Sequence, residues 1–177
     1  QTFTLSKDEA IYGLGQNQSG IMNYRGHKEK LVQTNTDAVI PFIWSTAGYG
    51  ILWDNYSKTL FNDDEKGCSL WSEVGDNLDY YVIVDEDADD VIGGYRYLTG
   101  KAPMFGKWAY GYWQCKEHYH TQDEILGVAR KYRQLGYPVD VIIQDWNYWG
   151  TNADWGGMYF DKTRYPNPQA MVDELKS

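Results

Sequence analysis

Residues 137–149 read Tyr137-Pro-Val-Asp-Val-Ile-Ile-Gln-Asp-Trp-Asn-Tyr-Trp149, an apolar run that ends in an acid set among aromatic residues. The run from Val139 to Ile143 is nearly continuous in apolar residues, as expected of a parallel strand that is covered on both faces. Asp145 follows the point where that strand should end. Because the carboxyl ends of strands carry the chemistry in α/β folds, Asp145 and the aromatic residues after it predict a pocket. The alternative is a turn capped by Asp145, which is a common use of aspartate.

The sequence before this strand predicts another strand and a helix, which together would make a βαβ unit. The aromatic run Trp108–Gln114 is typical of a first barrel strand. Thr121–Glu124 has the capping-box pattern, in which the Thr hydroxyl serves the backbone N–H of Glu124 and the Glu side chain reaches back. Apolar residues follow at helical spacing up to Gly136, where a left-handed cap is expected. A second helix is predicted to begin at Asn167-Pro168, with Asn as its N-cap.

The first half of the chain has a different pattern, with short β runs separated by Gly, Asn and Asp. Thr46–Tyr49 joins two runs as a tight hairpin would, and the whole segment predicts an antiparallel sheet or half of a sandwich. Asp63, Asp64 and Glu65 predict a turn. The predicted runs are Phe3–Leu5, Ile11–Leu14, Ile40–Trp44, Tyr49–Trp53, Cys68–Trp71 and Leu78–Val84.

A change of period then separates the two halves of the chain. Ala88–Leu98 has helical spacing and stops at Thr99-Gly100. The acidic run Asp85–Asp90 overlaps its beginning and is expected to be the solvated start of the helix. Lys101-Ala-Pro103 predicts the boundary between two architectures. We therefore expect two domains, residues 1–100 and 101–177, with the second one truncated because two parallel strands cannot cover their own faces.

Composition restricts the classes of partner. The formal net charge is −9, which argues against nucleic acid and against an anionic membrane surface, since both require clustered Lys and Arg. No stretch approaches the length of a membrane span, so no membrane insertion is expected. The chain has 16 Tyr and 8 Trp among 177 residues. Their flat faces with polar edges suit stacking on sugar rings, although they are equally common in cores.

No metal or cofactor site is predicted. Cys68 and Cys115 lie far apart without metal-like spacing, and we expect both to be buried free thiols. His118 and His120 flank Tyr119 just before the predicted helix. With no third ligand near them in the sequence, they are expected to be exposed loop histidines and not a metal pair.

An ordered set of eight motifs resembles the successive landmarks of glycoside hydrolase family 31. The set spans nearly the whole chain. Within that family, the form Asp-Trp-x-Tyr-Trp is most similar to the α-xylosidases, whereas α-glucosidases usually have a smaller aliphatic residue after the Asp. The motifs are Tyr12–Gln16, Tyr49–Asn55, Asp79–Tyr81, Tyr97–Gly100, Gly111–Gln114, Pro138–Asp140, Asp145–Trp149 and Tyr165–Pro168.

The resemblance implies an α+β fragment, with an antiparallel, galactose-mutarotase-like β-sandwich followed by the first βαβ unit of a (β/α)8 TIM barrel. It also implies cleavage of an α-glycosidic bond with retention, which needs a nucleophile and a separate acid/base roughly 5 Å apart. In the family both are Asp residues on later barrel strands. No catalytic residue is therefore expected in this chain, and the two acids are expected beyond Ser177.

The resemblance further implies substrate-binding roles for six residues. Asp145 would accept hydrogen bonds from sugar hydroxyls in subsite −1, and Trp146 would wall the C5 side of the ring. A bulky indole leaves little room for a CH2OH group, which favours xylose over glucose, although core packing is the alternative for Trp146. Lys116 and Glu117 fall where the family has another subsite residue, with a surface ion pair as the alternative. Asn35-Thr-Asp37 resembles a sandwich loop that touches the sugar, with an ordinary turn as the alternative.

Two hypotheses of different classes follow. In the first, the chain is the front part of a retaining α-glycosidase, either an α-xylosidase acting on oligosaccharides or, as runner-up, an α-glucosidase. In the second, it is a non-catalytic carbohydrate-binding module. The βαβ unit with Asp145 at a strand end favours the enzyme, because a binding sandwich has no use for it. The expected partners are an oligosaccharide and the remainder of the parent polypeptide, and a periplasmic or secreted location is expected only by family analogy.

Overall fold

Short apolar and aromatic runs build the first half of the chain into antiparallel sheets, and a strand–helix–strand unit begins the second half. The computed structural model describes residues 1–177, which form two units, Gln1–Ala102 and Pro103–Ser177. The elements of the first unit are β1 Thr2–Phe3, β2 Ile11–Gln16, β3 Lys28–Leu31, β4 Ala38–Ser45, β5 Tyr49–Trp53, β6 Thr59–Asp64, β7 Gly67–Ser72, β8 Tyr80–Val84 and α1 Ala88–Thr99. Those of the second are β9 Trp113–Lys116, α2 Gln122–Gln134, β10 Val141–Gln144 and α3 Pro168–Lys176.

The first unit is the predicted β-sandwich. One sheet has the strand order β1-β7-β6-β3 and the other β2-β4-β5-β8, and all pairs within them are antiparallel. A single buried cluster draws on both sheets, which shows that they pack face to face. Its members are Ile11, Leu14, Tyr24, Leu31, Ile43, Ile51, Trp53, Phe61, Cys68 and Leu70.

Helix α1 covers the opposite face of the second sheet. Ile43 points into the sandwich core, so its strand neighbour Phe42 points the other way, where its ring lies 4.6 Å from that of Tyr95 on α1. Val91 is fully buried against the same face. The helix begins at the N-cap Asp87, whose carboxylate accepts from the Asp90 N–H at 2.9 Å. The predicted helix and its acidic start are therefore confirmed.

Two strands of the sandwich escaped the sequence-based prediction. β3 has the polar sequence Lys-Glu-Lys-Leu, and β6 ends in Asp63 and Asp64, which we expected in a turn. Asp63 is instead buried, and its carboxylate accepts from Arg25 Nε at 2.9 Å and from the Gly26 N–H at 2.7 Å. β3 pairs with β6, which is distant in the sequence, so short-range patterns do not predict it. β6 also pairs with β7, and the turn between those two strands lies later than we expected, after Asp64. The predicted hairpin between β4 and β5 is confirmed.

The second unit contains the predicted βαβ arrangement, since β9 and β10 pair in parallel and α2 lies between them in sequence. Its first strand begins later than we expected. Residues Lys107–Tyr110 form a short 3-10 turn, and the strand starts only at Trp113. Between them, a Cβ on Gly111 would come within 1.9 Å of the Asp140 carboxylate, which accepts from the Tyr112 N–H.

The helix ends of the second unit agree with the predicted caps in all but one contact. Thr121 Oγ1 accepts from the Glu124 N–H at 3.1 Å, and Gly136 follows α2 with a φ of 72°. The Glu124 carboxylate, however, accepts from the His120 N–H at 2.6 Å and not from that of Thr121, so only half of the capping box forms. Asn167 caps α3 as predicted, its side chain accepting from the third residue of the helix at 3.0 Å.

Burial differs from the prediction at two places. Cys68 is a buried thiol as expected, but Cys115 is exposed, since it lies on the uncovered face of β9. All four residues of β10 are half-buried instead of fully covered, because the sheet to which they belong has two strands. No helix of the chain combines the length and the apolar character that crossing a membrane requires.

Candidate functional site

The parallel pairing of β9 and β10 brings four of the predicted site residues to one edge. Lys116, the last residue of β9, is the register partner of Gln144, the last residue of β10. Glu117 and the pair Asp145 and Trp146 therefore follow the two strands at the same, carboxyl edge of the sheet. This is the edge at which parallel α/β folds place their ligands.

Asp145 is available to a ligand. Its side chain is exposed and makes no hydrogen bond or ion pair within the chain. The neighbouring Gln144 side chain bridges the two strand ends instead, accepting from the Tyr119 N–H at 3.2 Å and donating to the Trp146 carbonyl at 3.1 Å. An ionised carboxylate in this position can accept hydrogen bonds from a pair of hydroxyl groups.

Trp146 lies in an aromatic cluster beside Asp145. Its indole is half-buried, with ring centroids 5.4 Å from His118, 5.4 Å from Trp155 and 6.4 Å from Trp149. Trp149 is buried, and its indole N–H has no acceptor in the chain. Trp146 is thus neither a core residue nor a free surface residue, because its half-buried indole packs among other aromatic rings.

Trp155 is a member of this cluster that the sequence did not suggest. Its side chain is 72% exposed, although its ring lies 5.8 Å from that of Trp149. A short 3-10 turn at Asn152–Asp154 precedes it, and the Asp154 carboxylate accepts from both the N–H and the hydroxyl of Thr151. The Thr151 N–H, followed by the hydroxyls of Thr151 and Tyr159, lowers the pKa of the Asp154 carboxyl. Only its ring contacts with Trp146 and Trp149, which no periodicity encodes, identify Trp155.

Lys116 and Glu117 do not form an ion pair with each other. Lys116 Nζ lies 2.6 Å from Glu124 Oε1, at the start of α2. The hydrogen bond from Lys116, followed by that from the His120 N–H, lowers the pKa of the Glu124 carboxyl. The Glu117 side chain is exposed and makes no hydrogen bond within the chain, so it is the freer of the two predicted residues.

The two histidines differ in burial, contrary to our expectation that both are exposed. His120 is exposed, whereas His118 is half-buried, with its ring at 76° to that of Trp146. His118 Nε2 and His120 Nδ1 are 3.2 Å apart, and His118 Nδ1 is buried without a partner. No group of three or more His, Cys, Asp or Glu side chains in the chain is arranged to hold a metal ion.

The remaining two predicted residues lie in the first unit. Asp37 closes its own loop, with its carboxylate accepting from Thr34 Oγ1 at 2.8 Å and from the Gln18 N–H at 3.3 Å. Asn35 is exposed at the tip of that loop. The arrangement has the local hydrogen bonds of an ordinary turn, and it leaves the Asn35 amide open to solvent.

Two models of known protein domain families match this chain. The model of the glycosyl hydrolase 31 N-terminal galactose mutarotase-like domain matches residues 1–62, and that of the glycosyl hydrolases family 31 TIM-barrel domain matches residues 102–177. An α-xylosidase of Saccharolobus solfataricus is 48% identical over 99% of this chain and 25% of its own length. A family 31 glucosidase of Pseudescherichia vulneris is 35% identical over 99% of this chain and 32% of its own length.

A solved structure agrees with these matches. The crystal structure of a family 31 α-xylosidase from a soil metagenome, complexed with xylose, has a TM-score of 0.88 and 39% identity over 97% of this chain. The chain covers 25% of that protein. It therefore spans between a quarter and a third of the length of these relatives.

Proposed function

This chain belongs to glycoside hydrolase family 31, and on that premise we propose that its parent polypeptide is a retaining α-glycosidase that removes terminal α-linked xylose from oligosaccharides. The observation that carries the proposal is the pairing of an exposed carboxylate, Asp145, with a half-buried indole, Trp146, at the carboxyl edge of the parallel strands. The two family models over residues 1–62 and 102–177 supply the architecture to which this edge belongs.

Asp145 is the proposed anchor of the sugar in subsite −1. Its two carboxylate oxygens accept hydrogen bonds from neighbouring hydroxyl groups on the ring, on the side away from the bond that is cleaved. The bond to an ionised acceptor is stronger than one between neutral groups, and it holds the ring in one orientation for attack. The absence of any competing donor on the Asp145 side chain supports this role.

Trp146 is the proposed wall against the C5 side of the ring. Its indole is supported on one side by His118 and on another by Trp155, each with a centroid separation of 5.4 Å. A supported indole cannot easily retreat from a CH2OH group, so a pentose is favoured over a hexose. Apolar crowding of this kind discriminates by about 10- to 100-fold.

The proposed bond cleavage follows the retaining route. A carboxylate attacks the anomeric carbon while a carboxylic acid protonates the leaving oxygen, and water then hydrolyses the glycosyl–enzyme ester with the second group acting as base. Both groups are proposed to be Asp residues beyond Ser177. The role of the residues in this chain is to bind the sugar and orient it.

Further sugar contacts are proposed for Lys116, Glu117, Asn35 and Asp37. Glu117 is the best placed in its own unit, because it follows β9 at the same edge as Asp145 and its side chain is uncommitted. Lys116 already pairs with Glu124, and Asp37 already accepts from Thr34. A sugar hydroxyl would therefore have to bond to each of them in addition to that partner.

Two alternative functions are supported to different degrees by the observations. An α-glucosidase is the runner-up, since a family 31 glucosidase of Pseudescherichia vulneris is also similar to this chain. A non-catalytic carbohydrate-binding module is disfavoured, because the parallel βαβ unit matches a TIM-barrel model and serves no purpose in such a module.

Hydrolysis of p-nitrophenyl α-xyloside and α-glucoside by the full-length parent tests the proposal. We expect the xyloside to have the higher kcat/KM, and Trp146→Ile to reduce the xyloside-to-glucoside ratio about 10-fold by opening space beside C5. Trp71→Ile is the matched control, because Trp71 is a half-exposed indole on β7 of the first unit. A wild-type preference for the glucoside would replace the α-xylosidase with the runner-up, and no turnover of either would overturn the proposed function.

A further inference from the structure

In the loop at residues 145–149, the backbone carbonyl groups of Trp146, Asn147, Tyr148 and Trp149 accept hydrogen bonds from donors in the second unit. The Trp146 carbonyl accepts from Gln144 Nε2 at 3.1 Å, and the Tyr148 carbonyl accepts from the Asp161 N–H at 2.8 Å. Carbonyl groups of a surface loop commonly bond to water. Protein donors at these positions therefore indicate a loop that is held in one conformation.

Arg164 donates to two further carbonyl groups of this loop. Its Nη1 donates to the Asn147 carbonyl at 2.9 Å, and its Nη2 donates to the Trp149 carbonyl. The guanidinium is planar and presents its donors in a fixed fork, so the pair of bonds sets the angle of the loop as well as its distance. The Arg164 side chain is 25% exposed, which limits competition from water for these charge-assisted bonds.

The backbone of Arg164 is itself held by hydrogen bonds. Its backbone N–H donates to Asp161 Oδ1 at 2.8 Å, and its carbonyl accepts from the N–H of Gln122, the first residue of α2, at 2.9 Å. The next residue, Tyr165, is buried and donates its hydroxyl to the Tyr119 carbonyl. Through its backbone and its guanidinium, Arg164 thus connects the start of α2 to the loop after β10.

Asn147 requires such support, because its φ of 54° lies in the left-handed region. Asn tolerates this region better than most residues, but a conformation that costs about 1 kcal/mol persists only where the surroundings hold it. Asn147 directly follows Trp146. If its backbone relaxed, the side chains of Trp146 and Asp145 would change direction.

We propose that Arg164 is a positioning residue for the sugar subsite: it fixes Asp145 and Trp146 through the loop backbone without touching the substrate. This inference rests on the proposed function and extends it, since it assigns part of the selectivity to a side chain outside the pocket. Loss of Arg164 should lower kcat and the ratio of xyloside to glucoside turnover, because the Asp145 carboxylate and the Trp146 indole are no longer held in one position relative to the sugar ring.

The test measures kcat and KM on both p-nitrophenyl glycosides for the full-length parent carrying Arg164→Ala or Arg164→Lys. We expect Arg164→Ala to lower kcat/KM on the xyloside about 10- to 100-fold and to reduce the xyloside-to-glucoside ratio about fivefold. Arg164→Lys should recover only part of both, because an ammonium group is a point donor without the fork.

Arg130→Ala is the matched control. The Arg130 guanidinium makes a bidentate pair with Glu174 at 2.6 and 2.8 Å, which joins α2 to α3. Its loss removes two guanidinium hydrogen bonds from the same unit without acting on the loop. The ratio should stay at the wild-type value in this variant.

The outcomes separate the two proposals. An unchanged ratio in both Arg164 variants, with an active wild type, would overturn the positioning role alone. A wild type inactive on both glycosides would overturn the proposed function and this inference with it. If Arg164→Ala does not fold, Arg164→Lys decides, and full wild-type selectivity in that variant counts against the inference.

Discussion

At the scale of single residues, Glu9 couples the stability of the sandwich to pH. The residue is 7% exposed, and its carboxylate accepts from the Ser6 N–H at 2.8 Å, from Ser45 Oγ at 2.6 Å and from the Tyr49 hydroxyl. Burial raises the pKa of the Glu9 carboxyl, but the hydrogen bonds from Ser45, Tyr49 and Ser6 outweigh it and hold the pKa below its usual value. Burial and the bond to Glu9 raise the pKa of Tyr49.

The sign of the pH dependence follows from the lowered pKa of Glu9. The ionised form contributes stability above the unfolded pKa, and this contribution is lost as the pH falls through the lower, folded pKa. We expect Glu9→Gln to reduce the free energy of unfolding by about 2 kcal/mol at pH 7, since the amide cannot accept all the donors. The deficit relative to the wild type should shrink below about pH 4, as thermal unfolding of the parent at pH 7 and pH 3 would measure.

The control for this prediction is Glu65→Gln. Glu65 is exposed in the turn between β6 and β7 and makes no hydrogen bond, so its amide variant should unfold like the wild type at both pH values. A Glu9→Gln deficit that is the same at pH 3 as at pH 7 would contradict the assignment of the effect to ionisation.

At the scale of elements, the motif Tyr12–Gln16 owes its glycines to an irregularity in β2. The register with β4 shifts between Gly13 and Gly15, and residues 13 to 15 all have positive φ, with Leu14 fully buried. A Cβ on Gly15 would lie 2.0 Å from the Ala38 carbonyl oxygen. The bulge lets Leu14 reach the core while the chain on either side keeps its pairing.

Gly15→Ala should therefore destabilise the sandwich by about 3 kcal/mol or more, from left-handed strain together with a backbone clash. Gly20→Ala separates the two causes, because Gly20 has a φ of 70° but nothing within 4 Å of the added Cβ. That variant should lose only about 1 kcal/mol. The measurement is chemical or thermal unfolding of the parent, and equal losses for the two variants would exclude the clash.

At the scale of the whole molecule, the chain holds the proposed sugar-binding edge but not the proposed nucleophile and acid/base. It covers 25% of the Saccharolobus solfataricus α-xylosidase. Binding and orientation without the reacting carboxylates cannot form the glycosyl–enzyme intermediate on which retaining hydrolysis depends.

We accordingly expect the 177-residue chain on its own to release no p-nitrophenol from α-xylosides or α-glucosides above the rate in buffer. The full-length parent, assayed in parallel, provides the positive control, and far-UV circular dichroism establishes that the shorter chain contains its strands and helices. Measurable turnover by the folded 177-residue chain would show that both catalytic groups lie within it.

The sequence by itself determined the features that depend on short-range interactions. The hairpin at Thr46–Tyr49, the caps at Thr121 and Asn167 and the parallel strand before Asp145 all follow from residues within a few positions of one another, and the family followed from the order of its motifs. The predicted substrate contacts stay predictions, although four of them do come together at one sheet edge.

Tertiary structure alone decided the contacts between residues that are distant in the sequence. The polar edge strand β3 forms through its pairing with β6, which is distant in the sequence, and the buried Asp63 forms an ion pair with Arg25. Lys116 forms its ion pair with Glu124 and not with its neighbour Glu117. The guanidinium of Arg164 donates to the Asn147 carbonyl in the loop after Asp145. Long, charged side chains have many possible partners of similar intrinsic strength, so the partner that forms is fixed only when the packed backbone brings one of them within reach.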